Sequence, residues 1–118
     1  HMEAEDLNRR SEALRPIRVA KQYVQAHFCQ SITLEDVCRA TGFSVSYFSA
    51  LFKKETGEGF SKYLTGVRME RAKELLQETD KPVSEICESV GYSDLKHFTQ
   101  TFRKYANLSP AQYRKLYG

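Results

Sequence analysis

An all-α fold of about seven helices, arranged as two helix-turn-helix units joined by a long linker helix, is predicted by three observations. Apolar residues recur at spacings of three and four along most of the chain, and nowhere do they alternate as in a strand. Glycine or asparagine interrupts this pattern at regular places, with Ser, Thr or Pro where each new helix begins. The stretch GFSVSYFSALFKKETG at 42–57 also returns, little changed, as GYSDLKHFTQTFRKYAN at 91–107.

Taken in order, residues 3–14 are mostly polar and read as a linker or as a helix continuing from an upstream part. Pro16 suits a first helical position, and Ile17, Ala20, Val24 and Phe28 then draw one apolar stripe. Thr33 and Asp36 form a capping box for a short helix through about Ala40, which Gly42 breaks. Ser44 caps the next helix, where Phe48 and Phe52 stand one turn apart before Gly57. Residues 59–79 carry the longest helical pattern, with Phe60, Tyr63, Leu64, Val67, Ala72, Leu75 and Leu76 on one face. Pro82 opens a short helix through Ser89, Gly91 breaks it, Ser93 is placed to cap the next, and Phe98 and Phe102 repeat the earlier pair. Ser109, Pro110 and Gln112 open a last helix ending near Tyr117.

A chain of 118 residues, 41% apolar, with 3 Pro and 6 Gly, has the make-up of one ordinary compact domain. Its apolar runs are too short to cross a bilayer and no signal-peptide core follows the N-terminus, so a cytoplasmic location is expected. His1 and Met2 match an expression-vector remnant, which places a remnant and linker at 1–15 and the folded unit at 16–118. A net charge of +3 permits a polyanionic partner without announcing one. Cys29, Cys38 and Cys87 have neither C-x-x-C spacing nor a nearby histidine, so they read as three buried thiols rather than metal ligands or disulfides. His27 and His97 lack an acid or nucleophile at a recognisable spacing, and neither an enzyme nor a bound cofactor is indicated.

Gly91 stands 49 positions after Gly42, and at that offset Leu34, Val37, Cys38, Phe43 and Ser44 fall on Val83, Ile86, Cys87, Tyr92 and Ser93. After one extra residue in the second copy, Phe48, Phe52, Lys53 and Lys54 meet Phe98, Phe102, Arg103 and Lys104. Each unit is helix, glycine turn, helix, at about 33–57 and 82–106, with Cys38 and Cys87 small enough for the close crossing. With the phenylalanines inward, Ser46, Ser49, Ala50 and Lys53 form an outward stripe, matched by Lys96, Thr99, Gln100 and Arg103. Hydroxyl, amide, cationic and methyl groups are what a helix in the DNA major groove uses on base edges. The linker of 59–79 spans roughly 31 Å, near the roughly 34 Å between successive major-groove faces. One chain can therefore carry two reading heads to one side of a duplex.

These residues resemble the DNA-binding domain of the AraC/XylS family of bacterial transcription regulators, from about Ile17 to Tyr117. The segment GYSDLKHFTQTFRKYANLSPAQYR is similar to the family signature, and FSKYLTGVRMERAKELL, with Arg68 and Ala72, to its linker helix. The resemblance implies a regulator, usually an activator, that binds double-stranded DNA and recruits or positions RNA polymerase. Its base-contacting positions fall on Ser46, Ser49 and Ala50, and on Leu95, Lys96, Thr99 and Gln100. Ser and Ala are shorter than the groups some members use in the first helix, and Asn107 and the two cysteines replace the usual Gly and Ala. YFSALFKKETGEGFSKYL is most similar to members behind a receiver domain, as in response regulators. Ser44, Ser93, Lys54, Lys104 and Arg114 are the expected phosphate contacts. Arg68 either meets a phosphate or pairs with an acidic neighbour. The isolated domain is expected to be a monomer, with any dimer belonging to the full-length protein. The rival reading is a helical module that docks on RNA polymerase or another protein and binds DNA weakly.

Overall fold

The computed structural model describes the backbone from residue 3 to 118 and side chains from Leu14 onward; the expected remnant at His1 and Met2 lies outside the described residues. Seven helices follow one another among the described residues: α1 (Glu3–His27), α2 (Leu34–Thr41), α3 (Val45–Thr56), α4 (Phe60–Glu78), α5 (Val83–Ser89), α6 (Leu95–Ala106) and α7 (Pro110–Tyr117).

Local chemistry accounts for most of the ends. The Thr33 hydroxyl accepts from the Asp36 backbone N–H at 3.2 Å while the Asp36 carboxylate accepts from that of Thr33 at 2.9 Å. Ser109 and Gln112 repeat this exchange at α7, at 3.1 and 3.0 Å. Two donors otherwise orphaned at each helix start are thereby satisfied. Ser44 caps α3 through the Tyr47 N–H at 3.3 Å. Gly57 and Asn107 close α3 and α6 in the left-handed region, and Asn107 is the one non-glycine with positive φ among the described residues.

Two expectations at helix starts are corrected. Asp94, not Ser93, caps α6, its carboxylate accepting from the Lys96 and His97 N–H groups at 2.9 and 3.4 Å. Ser and Asp cap about equally well, and the extra residue of the second copy starts α6 one position later, which puts Asp94 at the cap. Pro16 lies inside α1, which runs on upstream to Glu3 across the expected boundary at 15/16. A proline there removes one i to i−4 bond from the ladder.

The side chains form two cores. Ile17, Ala20 and Val24 of α1 pack with Val37, Cys38, Phe48, Phe52, Phe60 and Leu64. Met69, Ala72 and Leu76 of α4 pack with Ile86, Cys87, Val90, Phe98 and Phe102 in the second. Ile17, Ala20 and Val24 stand 52 positions before Met69, Ala72 and Leu76, so α1 supports the first head as the far half of α4 supports the second. The closing contacts match too: Tyr63 meets the Phe52 ring edge-on at 5.4 Å, and Tyr113 meets that of Phe102 at 5.5 Å. The repeat is therefore a support helix, a two-helix corner and a closing helix, with α4 closing the first unit and supporting the second. The molecule is elongated, 55 × 30 × 21 Å, with a radius of gyration of 17.1 Å. A compact chain of this length would have about 13.5 Å.

Candidate nucleic-acid interface

Burial of Phe48 and Phe52 on α3, and of Phe98 and Phe102 on α6, turns the opposite faces of both helices to solvent. Ser46, Ser49, Ala50 and Lys53 are all exposed, as are Lys96, Gln100 and Arg103, while Thr99 is half-buried. Leu95, at the start of α6, is 45% exposed. Ser44, Lys54, Ser93 and Lys104 are also exposed, and Lys53, Lys54, Lys96, Arg103 and Lys104 enter none of the ion pairs formed among the described residues. Both stripes thus offer unspent cations and small polar groups at the ends of an α4 of 19 residues, about 28 Å long.

Two residues belong with these stripes that the sequence reading left out. Val45 and Tyr47, in the first turn of α3, are 40% and 52% exposed, and the Tyr47 ring leans on Phe43 at 5.9 Å. The signal was present in the repeat: Val45 is the counterpart of Leu95, and Tyr47 of His97.

Arg114 leaves the set of phosphate contacts. Its guanidinium donates to the carbonyls of Leu76 at 3.2 Å and Thr79 at 3.1 Å, where it satisfies the end of α4. Arg68 also turns inward, but its partners are the backbone carbonyls of Phe28 and Gln30, both at 2.8 Å, rather than an acidic side chain.

The thiols divide. Cys38 and Cys87 are buried at the helix crossings, and burial pushes both up from the ordinary thiol value, with Glu35 adding to the first and Glu88 and Asp94 to the second. Cys29 is exposed, contrary to the expectation of three buried thiols, because it follows the last turn of α1. His27 stacks against Tyr23 at 4.5 Å, and its Nδ1 is buried without a hydrogen-bond partner. Among the described residues no group of three or more His, Cys, Asp or Glu could hold a metal ion, and no helix is long and apolar enough to cross a membrane.

Against this geometry, a family model described as a helix-turn-helix domain matches residues 37–116. The C-terminal domain of AraT, a response regulator from Geobacillus stearothermophilus, is 43% identical and superposes with a TM-score of 0.83, covering 86% of this chain and 84% of that one. That of the two-component response regulator yesN from Fusobacterium nucleatum is 35% identical, with a TM-score of 0.78 over 82% of this chain and 95% of that one. The HTH-type transcriptional regulator YijO of Escherichia coli K12 is 36% identical over 108 residues, 92% of this chain and 38% of the relative. The chain belongs to the AraC-type helix-turn-helix family, a family of DNA-binding transcription regulators. It spans 12–42% of the length of the first curated relatives it matches.

Proposed function

We propose that the unit of residues 16–118 binds double-stranded DNA sequence-specifically, laying α3 and α6 into adjacent major grooves on one side of the duplex. The observation that carries this reading is the pairing of two exposed stripes, each backed by its own buried phenylalanines, across the length of one helix. Ser46, Ser49, Ala50 and Lys53 meet base edges from the first head, and Leu95, Lys96, Thr99, Gln100 and Arg103 from the second. Ser44, Ser93, Lys54 and Lys104 hold the phosphates on either side. The chain acts by binding rather than by catalysis.

In the full protein this unit serves a cytoplasmic bacterial transcription regulator that positions RNA polymerase as an activator. The likeness to the C-terminal domains of two response regulators supports a role as the output domain of such a protein. The fragment binds as a monomer, since one chain carries both heads.

Selecting duplexes from a random pool and sequencing them tests the reading. The expected site is asymmetric and about two helical turns long, bound by one chain. Five base pairs inserted between the half-sites turn the second groove to the far side, and affinity then falls to that of one half-site. A palindrome bound by two chains, or no loss on insertion, would show that one molecule does not read both grooves.

A further inference from the structure

The two heads have separate cores, and Phe28, at the end of α1, packs against both. A single helix between two bodies fixes their distance well, but their rotation about it depends on what lies alongside. Here Arg68, near the middle of α4, bridges them. Its Nε donates to the Phe28 carbonyl and one terminal nitrogen to the Gln30 carbonyl, each at 2.8 Å, 40 and 38 positions away in the chain. The same guanidinium carbon sits 5.5 Å from the centre of the Tyr92 ring, in the turn of the second head. Gly91 lets that turn close in: a Cβ there would lie 3.0 Å from the Phe28 oxygen, 3.2 Å from Arg68 Nε and 3.2 Å from the Cys29 carbonyl carbon.

One side chain on the linker therefore touches the end of the first head's support helix and the turn of the second head. The placement suits arginine, whose planar fork gives parallel donors to the Phe28 and Gln30 carbonyls just past the end of α1 while its guanidinium lies over an aromatic ring. Lysine has neither the fork nor the flat face. Arg114 makes a similar pair of bonds at the end of α4 but joins no second head, and so provides an internal reference.

We propose that Arg68 is a positioning residue: by tying the end of α1 to the turn at Gly91 and Tyr92, it sets the rotational phase of the second reading helix and hence the half-site spacing the protein accepts. This rests on the two-groove reading. One extra base pair between half-sites turns the second groove by about 35°, a mismatch that a locked pair of heads resists and a loosened pair absorbs.

The experiment uses a duplex selected by the wild-type protein, the same duplex with one base pair inserted between the half-sites, and each half-site alone. The proteins are wild type, Arg68→Ala, Arg68→Lys and Arg114→Ala, each checked by thermal melting. Wild type and Arg114→Ala should bind the selected duplex roughly 30-fold more tightly than the inserted one, since linked heads gain from simultaneous engagement only when the geometry fits. Arg68→Ala should bind each half-site as wild type does, yet prefer the selected duplex by less than about threefold, with Arg68→Lys in the same direction. If Arg68→Ala melts too early to assay, Tyr92→Leu, which removes the stacking face while keeping apolar bulk, should narrow the preference. A wild-type spacing preference in Arg68→Ala, or in both Arg68→Lys and Tyr92→Leu, overturns the lock and leaves the two-groove reading standing. A wild-type protein that holds the selected duplex no better than a half-site overturns both.

Discussion

At the scale of single residues, the two turn glycines have unequal work. Gly42 adopts φ +81 with nothing within 4 Å of an added Cβ, so an alanine there meets only the left-handed backbone penalty. Gly91 adopts φ +97 and also lies against backbone atoms of Phe28 and Cys29 that cannot swing aside. Gly42→Ala should therefore cost about 1 kcal/mol of stability, and Gly91→Ala at least about 2. Equal losses in urea denaturation would show that the approach of the second turn to α1 carries no weight. A second pair of residues links stability to pH. The Tyr105 hydroxyl donates to the Glu70 carboxylate at 2.7 Å, and burial, with that bond behind it, pushes the phenol from 10.0 up to about 12. The same bond holds Glu70 below its ordinary 4.5. A raised phenol stabilises the fold below pH 10 and loses that contribution as pH climbs towards 12; a lowered carboxyl stabilises above 4.5 and loses it on acidification. Tyr105→Phe should be less stable at pH 7 by up to about 1 kcal/mol. Its Tm should approach that of wild type between pH 10 and 12, and narrow the gap again below 4.5. A gap constant across pH would remove Glu70 and Tyr105 as the cause.

Among the elements, the reading helices differ in reach and in charge at their starts. Lys96 and Gln100 extend long polar groups from α6, whereas Ser46, Ser49 and Ala50 offer short ones from α3. Lys96→Ala or Gln100→Ala should relax base preference in one half-site by about 1–3 kcal/mol per lost contact, and Ser46→Ala by less. Selection and sequencing with each variant measures this, and sharper preferences in the α3 half would mean that DNA shape or bridging water outweighs reach. Asp94 places a negative charge where α6 begins, whereas α3 starts on the neutral Ser44. Asp94→Asn keeps a cap of similar quality, so it should tighten DNA binding while leaving Tm nearly unchanged. The helix ends and turns were legible in the sequence because capping boxes, left-handed residues and apolar spacing are local signals. Ser93 and Asp94 are adjacent and both residue types suit a cap, so only the register of α6 distinguishes them. The inward turn of Arg68 is one of the two readings its sequence allows, but its partners, like those of Arg114, are backbone carbonyls some 40 positions away, which no side-chain pattern announces. Pro16 reads as a start because a proline at the first helical turn and one tolerated inside a helix look alike in sequence.

For the whole molecule, the question is whether one head or both hold DNA, and the charge layout gives the two answers different salt dependence. Lys53 and Lys54 serve the first head, and Lys96, Arg103 and Lys104 the second; all are exposed and none joins an ion pair among the described residues. Each phosphate neutralised releases counterions from the duplex, so log affinity falls with log salt at about 0.9 per phosphate. With both heads engaged, Lys54 and Lys104 on the phosphates give a slope of about 1.8, against about 0.9 for either separate half-site. The slopes should add because each cation set stands on its own core, as in a chain built of two supported units rather than one. A module that docks on a protein and holds DNA through one head alone would show the same slope on the full site as on its better half-site. Titrations of the three duplexes across a salt series decide between these, and a full-site slope no steeper than the larger half-site slope would return the second head to protein recognition.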